Sequence, residues 1–127
     1  MTVRDDPIAR LLDAIASANI DGCDSYAPDA QLDATVPGWR FRAVGETAIK
    51  AEYAKWFAHP ATFVEIERLR VDDGEVITYE LEWSEHGVRH RGHHAHRFTV
   101  ANGKIASDKV WCGGRWPEPL LQRMGLV

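Results

Sequence analysis

The sequence lacks the features that mark several classes of protein. It has only two cysteines, Cys23 and Cys112, which are too few for a disulfide framework, and neither belongs to a C-x-x-C pair. No apolar run approaches the roughly 18–20 residues of a membrane span, and the N-terminal residues lack the apolar core of a signal peptide. We therefore expect a cytoplasmic protein with reduced thiols and no contact with a membrane.

An excess of positive charge is also missing. The formal net charge is -4 and the isoelectric point is about 5.8, so the chain has no basic footprint for nucleic acid or an anionic membrane. What the sequence does have is 45% hydrophobic residues and five tryptophans in 127 residues. We expect a single domain over residues 1–127, with 115–127 as a C-terminal tail that docks as a helical turn or two.

Three helices are expected in the N-terminal half. Asp6-Pro7 provides an acidic N-cap followed by proline, and Ile8, Leu11, Leu12 and Ile15 then form one apolar stripe. A short second helix is expected at 23–26, ended by Pro28. A third helix begins near Gly45 and ends at His59-Pro60.

Strands follow wherever apolar and polar residues alternate. Residues 30–36 alternate in this way, and a loop through Trp39 and Phe41 is expected after Pro37-Gly38. Further strands are expected at 62–71, with a bulge near Arg68, and at 75–85.

The last hairpin concentrates the polar side chains that could do chemistry. Asn102-Gly103 between two extended runs is a strong hairpin signal, because both residues tolerate positive φ. His94, His96, Phe98 and Val100 share one face of the first strand, and Ala106, Asp108, Val110 and Cys112 share one face of the second. If these two faces lie on the same side of the sheet, two imidazoles and a carboxylate project into the space that this side encloses. A slip of one residue in register would turn Asp108 outward.

Three short motifs and the order of elements carry a family resemblance. The motifs are Ala27-Pro28-Asp29-Ala30, Gly45-Glu46-Thr47-Ala48-Ile49 and Asn102-Gly103-Lys104-Ile105. The chain resembles the nuclear-transport-factor-2-like (NTF2-like) superfamily, and within it the SnoaL-like proteins, which are relatives of ketosteroid isomerase and limonene epoxide hydrolase. The resemblance implies an α+β fold in which a curved antiparallel sheet wraps around N-terminal helices to form a cone with an apolar pocket.

The catalytic residues of these relatives do not carry over intact. The general-base aspartate of the isomerase falls on Ala34, its first-helix tyrosine falls near Leu11 or Leu12, and its second aspartic acid falls on His96. The aspartate of the epoxide hydrolase falls near Val110. The resemblance therefore argues against ketosteroid isomerisation and leaves His96 and Asp108 as the leading polar residues of the pocket.

Two functional hypotheses follow. In the first, the chain is a cofactor-independent acid–base enzyme of isomerase, hydrolase or cyclase type acting on a small apolar metabolite. His96 is then the acid or base, Asp108 orients it, and Tyr79 donates a hydrogen bond to developing oxyanion charge. In the second, the same residues only satisfy one another, and the protein is a small-ligand-binding or dimerisation module. The residues expected to contact a ligand are His94, Phe98, Val110, Trp83, Tyr53, Trp56 and Cys112.

Cofactors and partners complete the expectations. His94, His96 and Asp108 have spacing that a metal site could use, but we expect no metal and no organic cofactor. Acidic residues such as Glu80 and Glu82 face arginines such as Arg89 and Arg91 on the outer side of the sheet. The resemblance implies a homodimer that forms through this outer surface, although the same charges also suit a solvated face. The expected ligand is a small apolar molecule.

Overall fold

The computed structural model describes residues 6–127, which form three α-helices and a mixed sheet. The helices are α1 (Pro7–Ala16), α2 (Glu46–Trp56) and α3 (Glu118–Met124), with a 3-10 turn at Ile20–Gly22. The strands are β1 (Tyr26–Val36), β2 (Trp39–Val44), β3 (Thr62–Val71), β4 (Gly74–Glu85), β5 (Val88–Ala101) and β6 (Lys104–Pro117).

The sheet has six strands in the order β2-β1-β6-β5-β4-β3. Neighbouring strands run antiparallel except for β1 and β6, which are parallel. The helices pack on one side of this curved, unclosed sheet, and the apolar core lies between the two layers. The expected α+β class is confirmed, with one parallel pair in a sheet expected to be antiparallel throughout.

The first helix forms as the sequence predicts. The Asp6 carboxylate accepts hydrogen bonds from the backbone N–H groups of Ile8 and Ala9, both at 3.0 Å. These groups have no partner inside the helix, so the side chain satisfies two of its unpaired donors. The apolar stripe of α1 is buried against the sheet.

The expected helix at 23–26 is wrong. The only helical residues there are the 3-10 turn that ends at Gly22, and Tyr26 already begins β1. The pairing of β1 with β6 is irregular between Tyr26 and Gln31, so Pro28 can lie within the strand without removing a needed ladder hydrogen bond.

The expected loop through Trp39 and Phe41 is also wrong, because these residues belong to β2. Gly38 adopts φ 75° in a tight turn, and Val36 and Trp39 are Cα partners on either side of it. The alternation of Trp39, Phe41 and Ala43 with arginines was the available strand signal. As an edge strand, β2 pairs only with β1.

The irregularity in β3 lies near its start rather than at Arg68, since the register shifts between Phe63 and Glu65. Val64 and Ile66 have even numbers, whereas Leu69 and Val71 have odd numbers, and this change of parity predicts a bulge near Arg68. In the structure the change has another cause. Strand β3 is the opposite edge of the sheet, so Val64, Ile66 and Leu69 are all exposed.

The last hairpin turns at Asn102 and Gly103, both with positive φ, as predicted. A register shift between Thr99 and Val100 puts Ile105 in the core in place of Ala106. Beyond the shift His94, His96 and Asp108 face the same side of the sheet, which is the side covered by the helices.

The ends of the sheet extend the predicted elements. Strand β6 continues to Pro117, beyond its expected end, and the tail then forms α3 with Leu121 buried.

On the outer face of the sheet Arg91 forms ion pairs with Glu80 and Glu82, at 3.6 and 3.2 Å, as the alternating charges predicted. Within residues 6–127 no helix has both the length and the apolar character needed to cross a membrane.

Candidate functional site

A cavity of about 440 Å³ opens between α2, the inner face of β4–β6 and the tip of the β1–β2 hairpin. Its walls are largely apolar and include Trp56, Phe57, Trp83, Leu81 and Ala61. Charged side chains stand among the lining residues as well, namely Glu52, Lys55 and Arg115. A volume in the range of about 300–1,000 Å³ with mostly apolar walls is typical of a site for a small organic molecule.

Below this cavity a buried carboxylate holds several elements together. Asp108 on β6 accepts hydrogen bonds on Oδ2 from the hydroxyl groups of Tyr26 and Tyr53, at 2.8 and 2.7 Å. Its Oδ1 lies 2.8 Å from Nδ1 of His96. Because Asp108 supplies only acceptors here, this imidazole nitrogen carries the proton.

Tyr79 completes the network from β4. Its hydroxyl lies 2.9 Å from Nε2 of His96, and in the neutral ring this nitrogen accepts the hydrogen bond. Burial first, and then the charge of Asp108, hold the pKa values of Tyr26, Tyr53 and Tyr79 well above the ordinary range. The tyrosines therefore remain hydrogen-bond donors at neutral pH.

The three residues predicted to be catalytic are thus brought together, but not at the cavity. His96, Asp108 and Tyr79 are each only 1% exposed, and none of them lines the cavity. Both ring nitrogens of His96 have partners inside the protein. This is the arrangement expected of a satisfied core network, and a catalytic role for these residues stays a prediction.

His94 is the buried polar residue that lines the cavity. It follows the same face of β5 as His96, lines the cavity and is 6% exposed. Its ring stacks on Trp56 at 6.0 Å and on Tyr79 at 5.2 Å, measured between ring centroids. Nδ1 of His94 is the one buried side-chain nitrogen or oxygen among residues 6–127 that has no hydrogen-bond partner.

Burial also keeps this imidazole uncharged. Desolvation, followed by the proximity of His96 and His93, lowers the pKa of His94 from 6.5 to about 3. A neutral imidazole carries one donor and one acceptor. Leaving either group buried and unpaired costs roughly 1–3 kcal/mol. Nδ1 is itself shielded from solvent, so a ligand would recover that energy only by displacing a neighbouring side chain to bond to it.

The remaining predicted ligand contacts divide into two groups. Trp56, Trp83 and Cys112 line the cavity with His94. Tyr53, Phe98 and Val110 lie in the core and do not line it. These three positions point to the correct side of the sheet, but they lie deeper in the cone, where Phe98 stacks under His96 at 4.9 Å.

Several lining residues have no counterpart in the sequence predictions. Arg115 lies in the expected C-terminal tail, 115–127, but in the structure it belongs to β6. Its guanidinium carbon lies 5.3 Å from the centroid of the Trp83 ring, and it forms an ion pair with Glu85. Glu85 also accepts a hydrogen bond from Nε1 of Trp83 at 2.9 Å. Gly92 does not line the cavity itself but packs against two residues that do, since a Cβ there would lie 3.2 Å from the Trp83 ring and 3.3 Å from Cε1 of His94. Its position on the His94 face of β5 was the available signal.

The metal arrangement considered for His94, His96 and Asp108 does not form. His96 uses both ring nitrogens within the network, and the centroids of the two imidazoles are 6.4 Å apart. In the part of the chain that the structure describes, no group of three or more His, Cys, Asp or Glu residues could hold a metal ion.

Comparison with known proteins identifies a family and a fold. The SnoaL-like domain family matches residues 8–107. A candidate isomerase from Bacillus subtilis has 13% identity and a TM-score of 0.70, with 100% of this chain and 98% of that chain covered. A candidate polyketide cyclase from Xanthomonas campestris pv. campestris has 16% identity and a TM-score of 0.63, covering 83% and 86%.

A third structure is similar to the same extent. An NTF2-like protein of unknown function from Mesorhizobium loti has 20% identity and a TM-score of 0.64, covering 85% of this chain and 88% of that chain. At these identities the likeness concerns the fold alone. No curated protein sequence matches the chain.

The buried network makes a prediction about stability. Tyr53→Phe removes a donor from the Asp108 carboxylate, whereas Tyr79→Phe removes a hydroxyl bonded to an imidazole. Hydrogen bonds to charged groups contribute about 1.5–3 kcal/mol and neutral ones about 1 kcal/mol. We expect Tyr53→Phe to lower the free energy of unfolding more than its matched control Tyr79→Phe, measured by urea denaturation. A larger loss in Tyr79→Phe would contradict the assignment of Asp108 as the centre of the network.

The depressed pKa of His94 makes a second prediction. Between pH 6.5 and about 3 the unfolded chain binds a proton at His94 that the folded chain does not, so His94 makes the free energy of unfolding fall as the pH falls. The slope is at most roughly 1.4 kcal/mol per pH unit. We expect His94→Phe to lose this part of the slope in denaturation series at several pH values, while His86→Asn, at an exposed turn, keeps it. An unchanged slope in His94→Phe would show that His94 is charged in the folded protein.

Proposed function

We propose that this chain, which belongs to the SnoaL-like domain family, binds a small, flat and largely apolar molecule in the cavity. His94 is the polar anchor of that molecule. The observation that carries the proposal is the imidazole of His94, which lines a largely apolar, aromatic cavity and whose buried Nδ1 has no partner within residues 6–127. Every other buried side-chain nitrogen or oxygen of these residues already has a partner, so His94 is the buried side chain of the inner wall that retains an unused polar atom.

The charge state of His94 limits the chemistry of that polar group. Since its pKa is about 3, the imidazole is neutral at physiological pH and offers no opposite charge to an ion. A charged group at the inner end of the ligand would therefore lose its water without gaining an ion pair. A hydroxyl, a carbonyl or an N–H group fits this end, and the indole rings of Trp56 and Trp83 in the cavity wall favour a planar body.

Cys112 gives the proposal a direct test, because this thiol lines the cavity whereas Cys23 is buried in the core. N-phenyl-1-naphthylamine is a suitable neutral probe, since its fluorescence rises in apolar surroundings and its N–H can donate to His94. We expect saturable binding of the probe, and we expect alkylation of Cys112 with N-ethylmaleimide to abolish it. Burial raises the pKa of the Cys112 thiol, so alkylation should be slower at pH 7 than for an exposed cysteine and should accelerate as the pH rises.

The control variants separate the cavity from other binding surfaces. Cys112→Ser should bind the probe and become insensitive to N-ethylmaleimide. His94→Phe should bind it about tenfold more weakly, the equivalent of about 1.4 kcal/mol. Probe binding that persists unchanged after complete alkylation of Cys112 would place the ligand elsewhere and contradict the proposal.

A second candidate function is acid–base catalysis on the bound molecule. It is favoured by an imidazole at the cavity wall whose Nδ1 has no partner within residues 6–127, in a fold shared with a candidate isomerase and candidate polyketide cyclases. The sealed His96–Asp108 pair is less suited to this role, because a substrate in the cavity cannot reach it without displacing core side chains.

Proton exchange tests this candidate without knowledge of the natural substrate. Planar cyclic ketones are incubated with the protein in D2O, and deuterium at the carbon beside the carbonyl is followed by NMR. Because its low pKa makes His94 a weak base, any acceleration of exchange by the parent protein should be small. His94→Gln should lose that acceleration, whereas Cys112→Ser should keep it. Exchange at the buffer rate with every ketone that binds would argue for binding without catalysis.

A further inference from the structure

We propose that Trp39 forms the outer wall of the ligand site and packs against a part of the ligand that projects through the cavity mouth. The inference rests on the proposed function and deepens it, because it makes the ligand an elongated apolar molecule that is longer than the enclosed cavity. Trp39 lies in β2, the edge strand whose connection to β1 passes the mouth.

The register of the β1–β2 hairpin places Trp39 on the cavity side of the sheet. Val36 and Trp39 are Cα partners in this antiparallel pair, and Val36 and Pro37 line the cavity. Directly opposed residues of an antiparallel pair project to the same face, with Cβ atoms about 4.5–5.5 Å apart. The indole of Trp39 therefore stands beside a wall of the cavity.

The same face of β2 continues inward as an aromatic wall. Phe41, two residues further along the strand, packs edge-on against Trp56 at 6.3 Å between ring centroids, and Trp56 lines the cavity. Residues i and i+2 of a strand are about 6.6–6.8 Å apart and share a face. Trp39 extends this aromatic surface by one step, from the interior to the mouth.

Trp39 is the part of that surface that residues 6–127 leave largely uncovered. It is 70% exposed, and it makes no ring or cation contact with any other residue of 6–127. Trp111 provides a contrast on the opposite face of the sheet, where it is 43% exposed and Lys109 lies 5.4 Å from its ring. An apolar ligand emerging beside Val36 would remove the exposed Trp39 ring from water.

The charges around the mouth indicate that the projecting part is uncharged. Lys55 lies 3.5 Å from Glu52, and Arg115 is paired with Glu85. Each of these cations already has an acidic partner, so neither offers an uncompensated charge to a ligand. Trp39 is then the main contact available to the outer end, and it suits an aromatic or aliphatic group.

Two neutral fluorescent probes of different length test the inference. N-phenyl-1-naphthylamine is compact enough to lie inside the cavity, whereas 1,6-diphenylhexatriene is a rigid rod that reaches further. We expect Trp39→Ala to weaken binding of the rod about five- to tenfold and to leave the compact probe within about twofold. Trp39→Phe should recover part of the loss. Trp111→Ala, which removes an exposed indole from the opposite face, should change neither affinity.

The outcomes separate failure of this inference from failure of the proposed function. If Trp39→Ala binds the rod with parental affinity while alkylation of Cys112 still abolishes binding, the cavity site stands and the role of Trp39 is overturned. If binding of both probes survives that alkylation, the proposed function itself fails. Sedimentation velocity gives one more contrary result: if Trp39→Ala dissociates an assembly of the parent protein without changing either affinity, Trp39 belongs to an interface between protein chains.

Discussion

The buried carboxylate of Asp108 is the interaction on which the arrangement of this fold depends. Its partners come from β1, α2 and β5, through Tyr26, Tyr53 and His96. A carboxylate is very costly to bury without such donors, so these elements must meet within hydrogen-bond distance of one point. The network fixes how the long helix sits against the sheet, and it leaves no free polar atom on itself. Recognition of a ligand therefore depends on a different residue, His94.

Local patterns predicted much of the fold. The cap at Asp6, the turn at Asn102-Gly103 and the facing of His96 toward Asp108 depend on neighbouring residues or on strand parity, and the structure confirms them. The errors arise where tertiary context decides. Tyr26 belongs to a strand because it pairs with Ile105 of β6, which is distant in the sequence. In the same way, the exposed apolar residues of β3 reflect its place at the edge of the sheet.

The sequence predicts on which side of the sheet the candidate site lies, but not which residues on that side reach the cavity. Parity correctly puts His94 and His96 on one side of β5, yet it cannot say which of them reaches the cavity. That depends on the curvature of the sheet and on α2, which together close the core over His96 and leave His94 beside Trp56. The lining residues Val36 and Arg115 were not predicted for a similar reason, since they lie near the ends of β1 and β6, whose positions depend on the whole sheet.

The ring nitrogens of the histidines provide the most direct measurement. In protein labelled with ¹⁵N in the imidazoles, spectra are recorded with and without N-phenyl-1-naphthylamine, and the signals of His94 are assigned by their loss in His94→Phe. We predict that the probe shifts the His94 nitrogens strongly, whereas His96 keeps its Nδ1 proton and its shifts. A response at His96 with none at His94 would show that the buried pair is the ligand site, and it would contradict this account.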